Sequence, residues 1–321
     1  MSDAPQVVKA KVPTRRAFSQ RMAEFGAIDK DFVVFEADIG YSTYSYLFGQ
    51  AFPQRYFNMG IAEGNAVAAA AGMASCGRTV VACSYGVFLT MRAVETVRTF
   101  ICYTNLNVKL LSSHGGITPA TDGVTHQASE DIAFMTTLPN MKVLVPADTV
   151  SSRKIFEVML ATPGPVFVRL MRDALFDVYR EEDVFELGGS KRLVAGNDVT
   201  IVTYGDLVFQ AIAAAEELIT QGIRADVLDF YSIKPFDERA LRESLSRTGA
   251  LVVAENHQRR NGLGYELARW CLMNHPVPFE NLGLDDTFAE SGNYYKLLDK
   301  YGLSKDHIIQ SARRVLARKG K

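Results

Sequence analysis

Two histidines and an aspartate lie close together in a polar stretch of the sequence. His114 follows an apolar segment that ends at residue 112, and Asp122 and His126 come after a run rich in Gly, Thr and Pro. Imidazoles exchange protons near neutral pH, and a carboxylate accepts hydrogen bonds from hydroxyl groups. These side chains therefore predict a site for a polyhydroxylated substrate. A metal site is the rival interpretation, but the segment has no third strong ligand at a helical or hairpin spacing.

A glutamate stands where a short strand-like segment turns into a helical pattern. Glu63 lies three residues after Gly60, which is the spacing of a capping box, so its carboxylate could simply bind the helix amino terminus. Alternatively, the strand–helix junction holds this carboxylate towards a ligand. The helix that follows is nearly all Ala and Gly over 66–72, so a flat ligand or another backbone could approach it closely. The residues alone leave both interpretations open.

Two aromatic residues follow the strand predicted over 79–83. They are Tyr85 and Phe88. Open α/β sheets bind ligands in the loops after the carboxyl ends of their strands, and two rings in such a loop could stack on a planar group. Phe88 could equally begin the buried face of the helix predicted over 88–103.

Two pairs of arginines offer a place for an anion. Arg15 and Arg16 lie near the amino terminus. Arg169 ends a strand predicted over 166–169, and Arg172 follows that strand. The planar guanidinium group binds phosphate through two parallel hydrogen bonds. Each arginine taken singly is explained equally well by an ordinary ion pair.

The elements that must hold these residues alternate along the chain. Short apolar runs are separated by helical patterns of ten or more residues, which predicts parallel βαβ units with helices on both faces of a sheet. A charged segment with a Gly-Gly-Ser turn interrupts this alternation. We therefore predict an α/β protein of two domains, residues 1–180 and 196–321, joined by a linker over 181–195.

Composition excludes several classes of function. Lys and Arg number 35 against 36 Asp and Glu, so the net charge of −1 does not favour nucleic acid or a membrane surface as a partner. The longest apolar stretches are shorter than the ~20 residues of a membrane helix. Residues 1–5 lack the features of a signal peptide, and we expect a cytoplasmic protein.

The four cysteines have no paired spacing, so we expect buried, reduced thiols.

The order of these motifs resembles the carboxyl-terminal two-thirds of a transketolase over about residues 12–315. The matching segments are Gly-Ile-Ala-Glu-Gly-Asn (60–65), Ser-Tyr-Gly-Val-Phe (84–88), Ser-His-Gly-Gly (113–116), Asp-Gly-Val-Thr-His-Gln (122–127), Pro-Ala-Asp (146–148), Phe-Val-Arg-Leu-Met-Arg (167–172), Glu-Asn-His (255–257) and Phe-Ala-Glu-Ser-Gly (288–292). The resemblance implies a parallel-sheet pyrimidine-binding domain of the thiamine-diphosphate-enzyme type. A smaller α/β transketolase carboxyl-terminal domain would follow it.

The resemblance implies thiamine diphosphate as the cofactor. Glu63 matches the family glutamate that contacts a nitrogen of the pyrimidine ring and so activates the cofactor. Phe88 matches the residue that stacks on this ring, and Tyr85 lies beside it. Asp38 matches a residue near the thiazolium.

The resemblance also implies two parts of a substrate site. Three residues match the pocket for the donor sugar, where they would bind hydroxyl groups and assist proton transfer, and three match positions that hold a sugar phosphate. The substrate residues are His114, Asp122 and His126 for the sugar and Arg172, Arg15 and Ser42 for the phosphate, and the catalytic candidates are Glu63, His126 and His114.

One family motif is absent from the sequence. No Gly-Asp-Gly segment with a downstream Asn is present to bind magnesium and diphosphate. Residues 204–206 (Tyr-Gly-Asp) match only part of it, and residues 261–264 (Asn-Gly-Leu-Gly) match only the start of a dinucleotide-binding loop. We therefore expect no metal site in this chain. Mg²⁺ would be held by a separate amino-terminal transketolase subunit, in a heterotetramer in which this chain also contacts a copy of itself.

These expectations define one subunit of a split transketolase, which transfers a two-carbon ketol unit between sugar phosphates. A specialised ketose-phosphate transketolase and an enzyme similar to deoxyxylulose-phosphate synthase are alternatives, and the β-subunits of 2-oxoacid dehydrogenases are more distant. An alternative of another class is a non-catalytic chain that regulates a transketolase-like partner. The presence of Glu63 and of both histidines argues against it.

Overall fold

Two mainly parallel β-sheets form the framework of the chain. The structure is a computed structural model that describes residues 5–319. The strands are β1 (Val8–Lys9), β2 (Phe32–Glu36), β3 (Tyr56–Asn58), β4 (Thr79–Tyr85), β5 (Val108–Ser113), β6 (Lys142–Leu144), β7 (Val166–Arg169), β8 (Phe176–Asp177), β9 (Lys191–Val194), β10 (Val199–Thr203), β11 (Ala225–Asp229), β12 (Ser232–Lys234), β13 (Leu251–Gln258) and β14 (Phe279–Leu284).

The first sheet has seven strands in the order β12-β6-β7-β5-β4-β2-β3. Its strands from β6 to β3 pair in parallel, and β12 pairs with β6 in the antiparallel sense. The second sheet has the order β14-β13-β10-β11-β9, in which β9 is antiparallel to β11. The predicted α/β class is confirmed with two parallel-sheet units, the first built on the seven-stranded sheet and the second on the five-stranded sheet.

Helices connect the strands of both sheets. The helices are α1 (Thr14–Ile28), α2 (Gly40–Thr43), α3 (Tyr46–Ala51), α4 (Glu63–Ser75), α5 (Gly86–Met91), α6 (Val94–Thr96), α7 (Asp131–Thr137), α8 (Thr149–Ala161), α9 (Val208–Thr220), α10 (Glu238–Thr248), α11 (Leu263–Asn274), α12 (Tyr294–Lys300) and α13 (Lys305–Arg318). Short 3₁₀ turns lie at Pro53–Arg55, Ala120–Asp122 and Gly205–Leu207, and α6 continues as a π-helical segment over Val97–Cys102.

Strand β2 shows why the first sheet needs helices on both faces. Its side chains alternate between two apolar clusters because successive residues of a strand point to opposite faces. Phe32 joins the cluster that contains Phe18 of α1 and Phe156 of α8. Val33 joins the cluster that contains Val67 of α4. All five residues of β2 are buried, as expected for a strand covered on both sides.

The structure differs from the predicted elements at several places, and strands β1, β8, β12 and β14 and helix α12 are among the elements that were not predicted. The helix predicted over 88–103 is interrupted, because α5 ends at Met91 and α6 begins at Val94. The short helices α2, α3 and α7 were not predicted. Strand β9 lies inside the segment predicted as linker, and residues 181–190 form neither helix nor strand. The domain limits 1–180 and 196–321 stay predictions.

Two further expectations concern location and thiols. Between residues 5 and 319, the structure contains no helix of the length and apolar character that crossing a membrane requires. The expectation of no signal peptide depends mostly on Met1–Ala4, which lie outside the described residues. Cys83, Cys102 and Cys271 are free and buried as expected, whereas Cys76 is exposed.

A carboxyl group buried in the second unit makes the stability depend on pH. Asp229 ends β11, and its Oδ2 accepts a hydrogen bond of 2.6 Å from the hydroxyl of Tyr179. Burial raises the pKa of Asp229 to about 8 from its ordinary value of 3.8. Between about pH 4 and pH 8 the folded chain keeps a proton on Asp229 that the unfolded chain has already lost. The free energy of unfolding therefore falls as the pH rises through this range.

We expect Asp229→Asn to flatten that dependence. The neutral amide has no proton to lose, so the wild-type free energy of unfolding should fall relative to the variant by up to about 1.4 kcal/mol per pH unit between pH 4 and pH 8. Urea unfolding of both proteins at several pH values measures the two slopes. Parallel curves for wild type and variant would show that Asp229 is already ionised in the fold.

Candidate active site

The candidate residues collect at one edge of the first sheet. Asp38 follows β2, Tyr85 ends β4, His114 follows β5 and Arg172 lies three residues after β7. These strands are parallel neighbours, so their carboxyl ends meet at the same edge. The edge therefore brings together side chains that lie far apart in the sequence.

A cavity of about 460 Å³ opens at this edge. All six residues predicted to bind the substrate line it, together with one residue predicted to lie beside the cofactor. The lining residues are Arg15, Ser42, Tyr85, His114, Asp122, His126 and Arg172.

His114 lies at the floor of this cavity and is 1% exposed. Its ring centroid is 3.9 Å from that of Tyr85, and its Nδ1 lies 2.9 Å from the hydroxyl oxygen of Ser113. Burial, reinforced by the positive charges of Arg15 and Arg172, lowers the pKa of His114 to about 2. The imidazole is therefore neutral at physiological pH, which suits it to donating or accepting a hydrogen bond.

His126 and Asp122 lie at the more open side of the cavity. The ring of His126 lies edge-on to two aromatic rings, with centroid distances of 5.6 Å to Tyr85 and 5.7 Å to Phe88. Asp122 Oδ2 lies 3.2 Å from the Nε of Arg172. The histidine thus stands between the cavity and the aromatic residues, where a group bound on either side could reach it.

Arg15 and Arg172 form a positively charged corner. Arg15 donates from Nε to the backbone oxygen of Arg172 over 2.7 Å and from Nη1 to the backbone oxygen of Ser42. Burial lowers the pKa of Arg15, and the charge of Arg172 acts in the same direction. Both guanidinium groups line the cavity and favour the arrival of an anion, which would compete with Asp122 and Asp173 for Arg172.

Glu63 is buried at the start of α4. The residue that caps this helix is Ala62, not Gly60, and no side chain caps it. The capping-box interpretation of Gly60 and Glu63 is therefore wrong. The carboxylate of Glu63 is instead paired with Arg92, whose Nη1 lies 3.1 Å from Oε1 and 3.3 Å from Oε2.

Arg92 was missed in the sequence, although its position gave a signal. It lies four residues after Phe88, a spacing that puts two side chains on the same side of a helix. The guanidinium carbon of Arg92 stands 3.9 Å from the centroid of the Phe88 ring. Phe88 is only partly buried and stacks on Tyr85 at 5.6 Å, so it does not begin the buried face of its helix.

Asp38 lies in a neighbouring cavity of about 310 Å³, which is also lined by Glu36 and by Ser42. Its Oδ1 accepts a hydrogen bond of 2.8 Å from the side-chain amide of Asn58. Asp38 adopts a left-handed backbone conformation with φ of 62°. Ser42 lines both cavities, so the two are adjacent.

Arg169 does not belong to the anion site. It is fully buried and pairs with Asp131, with 2.9 Å between its Nε and the Oδ2 of Asp131. Burial raises the pKa of Asp131 to about 6, although the arginine opposes the shift. Arg16 is exposed and does not line the cavity. Of the four arginines, the structure therefore brings Arg15 and Arg172 to the site.

Internal contacts account for the two partial motifs, the dinucleotide-like loop at 261–264 and the Tyr-Gly-Asp segment at 204–206. Glu255 accepts hydrogen bonds from the backbone N–H groups of Leu263 and Gly264, so a carboxylate already fills the helix start after 261–264. Asp206 is buried and accepts from Asn256 and Tyr294. Among residues 5–319, no three His, Cys, Asp or Glu side chains are grouped to hold a metal ion.

Comparison with protein families identifies the two parts of the fold. The pyrimidine-binding domain of transketolases matches residues 10–177, and the transketolase carboxyl-terminal domain matches residues 188–308. The chain belongs to the transketolase family. It is a transketolase-type transferase subunit that corresponds to the section of the family carried separately in split transketolases.

Relatives of similar length support this assignment. A 6-deoxy-6-sulfo-D-fructose transketolase subunit from a Clostridium species is 37% identical over 95% of each chain. One of the subunits of the apulose-4-phosphate transketolase of Phocaeicola vulgatus is 35% identical over 94% of this chain and 96% of its own. A solved structure described as a split gene transketolase, inactive β4 tetramer, is 40% identical and superposes with a TM-score of 0.90 over 96% of this chain and 99% of its own.

Transketolases as a family depend on thiamine diphosphate, and the residues near Glu63 fit a pyrimidine ring. A planar, nitrogen-bearing group already stacks on Phe88 and contacts the buried Glu63 carboxylate, namely the guanidinium of Arg92. Arg92 is half exposed, so it can leave this place without disturbing the core. The Ala-rich helix α4 presents little side-chain bulk beside it.

We expect Arg92→Ala to lower the free energy of unfolding by about 1 kcal/mol, because it leaves the buried carboxylate of Glu63 without its partner. Water reaches the half-exposed arginine and limits the loss. Urea unfolding measures the change. Arg98→Ala is the matched control, because Arg98 is exposed on the same helical region. Equal stability of the two variants would mean that the Glu63–Arg92 pair contributes nothing to the fold.

Proposed function

We propose that this chain is the pyrimidine-binding subunit of a split transketolase that transfers a two-carbon ketol unit between sugar phosphates. The observation that carries the proposal is a single cavity that unites His114, Asp122 and His126 with Arg15 and Arg172. Three of these side chains suit hydroxyl groups and two suit an anion, which together describe a phosphorylated sugar. The cavity borders the aromatic pair, and Arg92 contacts both Phe88 and the Glu63 carboxylate.

The proposed cofactor is thiamine diphosphate, which supplies the carbanion that accepts and releases the ketol unit. Glu63 would bind a pyrimidine nitrogen and hold the shared proton there. Phe88 would stack on the ring with Tyr85 beside it, and Asp38 would lie near the thiazolium. Arg92 must first move off Phe88, since its guanidinium covers the face that the ring would use.

The two histidines would act differently on the substrate. His114 is neutral and buried, so it would hold a hydroxyl or carbonyl oxygen of the ketose through a hydrogen bond. His126 stands at the boundary between the cavity and the aromatic pair, where it would move a proton to or from the reacting carbon's oxygen. Asp122 would accept a hydrogen bond from a sugar hydroxyl. Arg15, Arg172 and Ser42 would hold the phosphate.

A separate subunit would complete the site by holding Mg²⁺ and the diphosphate. The chain has no complete motif for these groups. Exposed apolar side chains flank the pyrimidine residues in the sequence, with Ile61 76% exposed and Met91 42% exposed, as expected for a face that another chain covers. The relative described as an inactive β4 tetramer supports self-association of this chain and its dependence on a partner. We therefore propose a cytoplasmic heterotetramer.

Alternatives within the same chemistry concern the sugar. A specialised ketose-phosphate transketolase and an enzyme similar to deoxyxylulose-phosphate synthase use related sites. The relatives named for a sulfo sugar and for apulose 4-phosphate differ in the anion of their substrates. A charged corner of two arginines accepts either phosphate or sulfonate, so both belong in the assay. The alternative of another class is a non-catalytic regulatory partner.

We expect the chain to transfer a ketol unit once it is mixed with its partner subunit, thiamine diphosphate and Mg²⁺. The assay follows transfer from D-xylulose 5-phosphate, and then from phosphorylated and sulfonated six-carbon ketoses. Complex formation without transfer from any of these donors would favour the regulatory function.

The variant Glu63→Gln should abolish this transfer, because the amide cannot hold a proton for the pyrimidine nitrogen. The amide oxygen still accepts a hydrogen bond from Arg92, so the fold should remain intact by circular dichroism and urea unfolding. Turnover close to that of wild type would exclude Glu63 from activation of the cofactor.

Arg172→Leu should lower kcat/KM for D-xylulose 5-phosphate by roughly 10- to 100-fold, because a hydrogen bond to a charged group is lost. The same variant should leave kcat/KM for L-erythrulose, a ketose without phosphate, within about threefold of wild type. Arg16→Leu is the matched control, since Arg16 is exposed outside the cavity. An equal loss with both donors would place Arg172 outside the phosphate site.

A further inference from the structure

The loop that carries the sugar-binding candidates is closed at its base. The backbone N–H of Gly116 donates to the oxygen of Ala128, and the N–H of Ala128 donates back to the oxygen of Gly116, both over 2.9 Å. His114 precedes this closed loop, and Asp122 and His126 lie within it. The shape of one segment, residues 114–128, therefore decides the relative positions of all three side chains.

One side chain of the second unit reaches into the base of this loop. Asn256 of β13 is fully buried, and its Oδ1 accepts a hydrogen bond of 2.9 Å from the N–H of Ile117. Its Nδ2 donates over 2.6 Å to Oδ2 of Asp206, which also accepts from the hydroxyl of Tyr294. Asp206 therefore fixes which way the Asn256 amide faces, so that an oxygen points at the loop.

The loop fits closely around this amide. Gly116 has a φ of +59°, and a Cβ added there would overlap with the Oδ1 of Asn256. The lack of a side chain at Gly116 lets the carboxamide approach the backbone between His114 and Ile117. His114 itself has a φ of 63°, a conformation that a non-glycine residue keeps only when its surroundings impose it.

The second unit holds the loop at its far end as well. The N–H of Gly292 donates to the oxygen of Ala120, and the Nε2 of Gln127 donates to the oxygen of Glu290 over 3.2 Å. Gly123 has a φ of +79° and packs where a Cβ would overlap with the hydroxyl of Ser291. The loop thus contacts the second unit on both sides of Asp122.

We propose that Asn256 is a positioning residue, through which the second unit holds the 114–128 loop in the shape that aims His114 and His126 into the sugar cavity. This inference rests on the proposed function for its catalytic consequence, but the loop contact itself does not. Removing the amide leaves the buried N–H of Ile117 without an acceptor, so the loop opens more often to find water. The chemistry at Glu63 lies outside the loop and stays unaffected.

The first experiment is hydrogen exchange on the isolated chain, which needs neither partner nor substrate. In Asn256→Ala, amides of residues 114–128 should exchange roughly tenfold faster than in wild type, while those of β2 and β4 should be unchanged. Tyr294→Phe is the matched control, because it also removes one hydrogen bond to Asp206 but leaves the Ile117 N–H bonded.

The second experiment uses the assembled enzyme. Asn256→Ala should raise KM for D-xylulose 5-phosphate roughly tenfold with a smaller change in kcat, and should leave the affinity for thiamine diphosphate unchanged. Tyr294→Phe should behave as wild type, because it leaves the Ile117 N–H bonded to Asn256.

The two experiments separate failure of the inference from failure of the proposed function. Unchanged loop exchange in Asn256→Ala overturns the inference, whatever the enzyme does. Faster loop exchange with an unchanged donor KM also overturns it, because the contact would then be structural only. If the wild-type assembly transfers no ketol unit, the proposed function fails, and loop exchange alone decides whether Asn256 holds the loop. Loss of thiamine diphosphate affinity equal to the loss of donor affinity would mean general damage and would overturn the inference too.

Discussion

A single buried cation joins the parts of this molecule. The guanidinium of Arg169, at the end of β7, is only 2% exposed, so a buried charge of this kind needs partners inside the protein. Its Nε faces Asp131, and its Nη2 donates to the backbone oxygens of Asn256 at 2.7 Å and Ala128 at 3.3 Å. One side chain thereby fixes the start of α7, the end of the sugar-binding loop and the end of β13 relative to the first sheet.

This constraint explains why the candidate site lies next to the second unit. With Arg169 paired and β13 docked against it, a buried polar layer forms beneath the cavity and includes Asn256 and Asp206. Such a layer is stable only if every member is bonded, so it tolerates few alternative arrangements. The cavity above this layer is therefore held in one shape.

Most of the first sheet and most of the cavity could be predicted from the sequence, for a physical reason. Strands covered on both faces are continuous apolar runs, and the carboxyl ends of parallel strands share one edge, so His114 and Arg172 could be assigned to the same place before the fold was known. Short helices such as α2 and α3 have too few turns to show a period. Glu63 starts α4 and Arg92 lies at the break after α5, and helical periodicity carries no information about that break or about which helices meet there. Asn256 was visible only as part of a motif, because its role depends on contacts with residues some 140 positions away.

The small strand β12 links the order of synthesis to the completion of the first sheet. Strand β6 pairs on one side with β7 and on the other with β12, which belongs to the second half of the chain. A growing chain therefore displays a bare strand edge at β6 until the ribosome has released residues 232–234. Unpaired edges attract other strands, and amino-terminal units fold first during translation. The sheet of the first unit thus lacks its last strand, β12, while the first unit folds during translation. The edge of β6 can pair wrongly until much of the second unit has emerged from the ribosome.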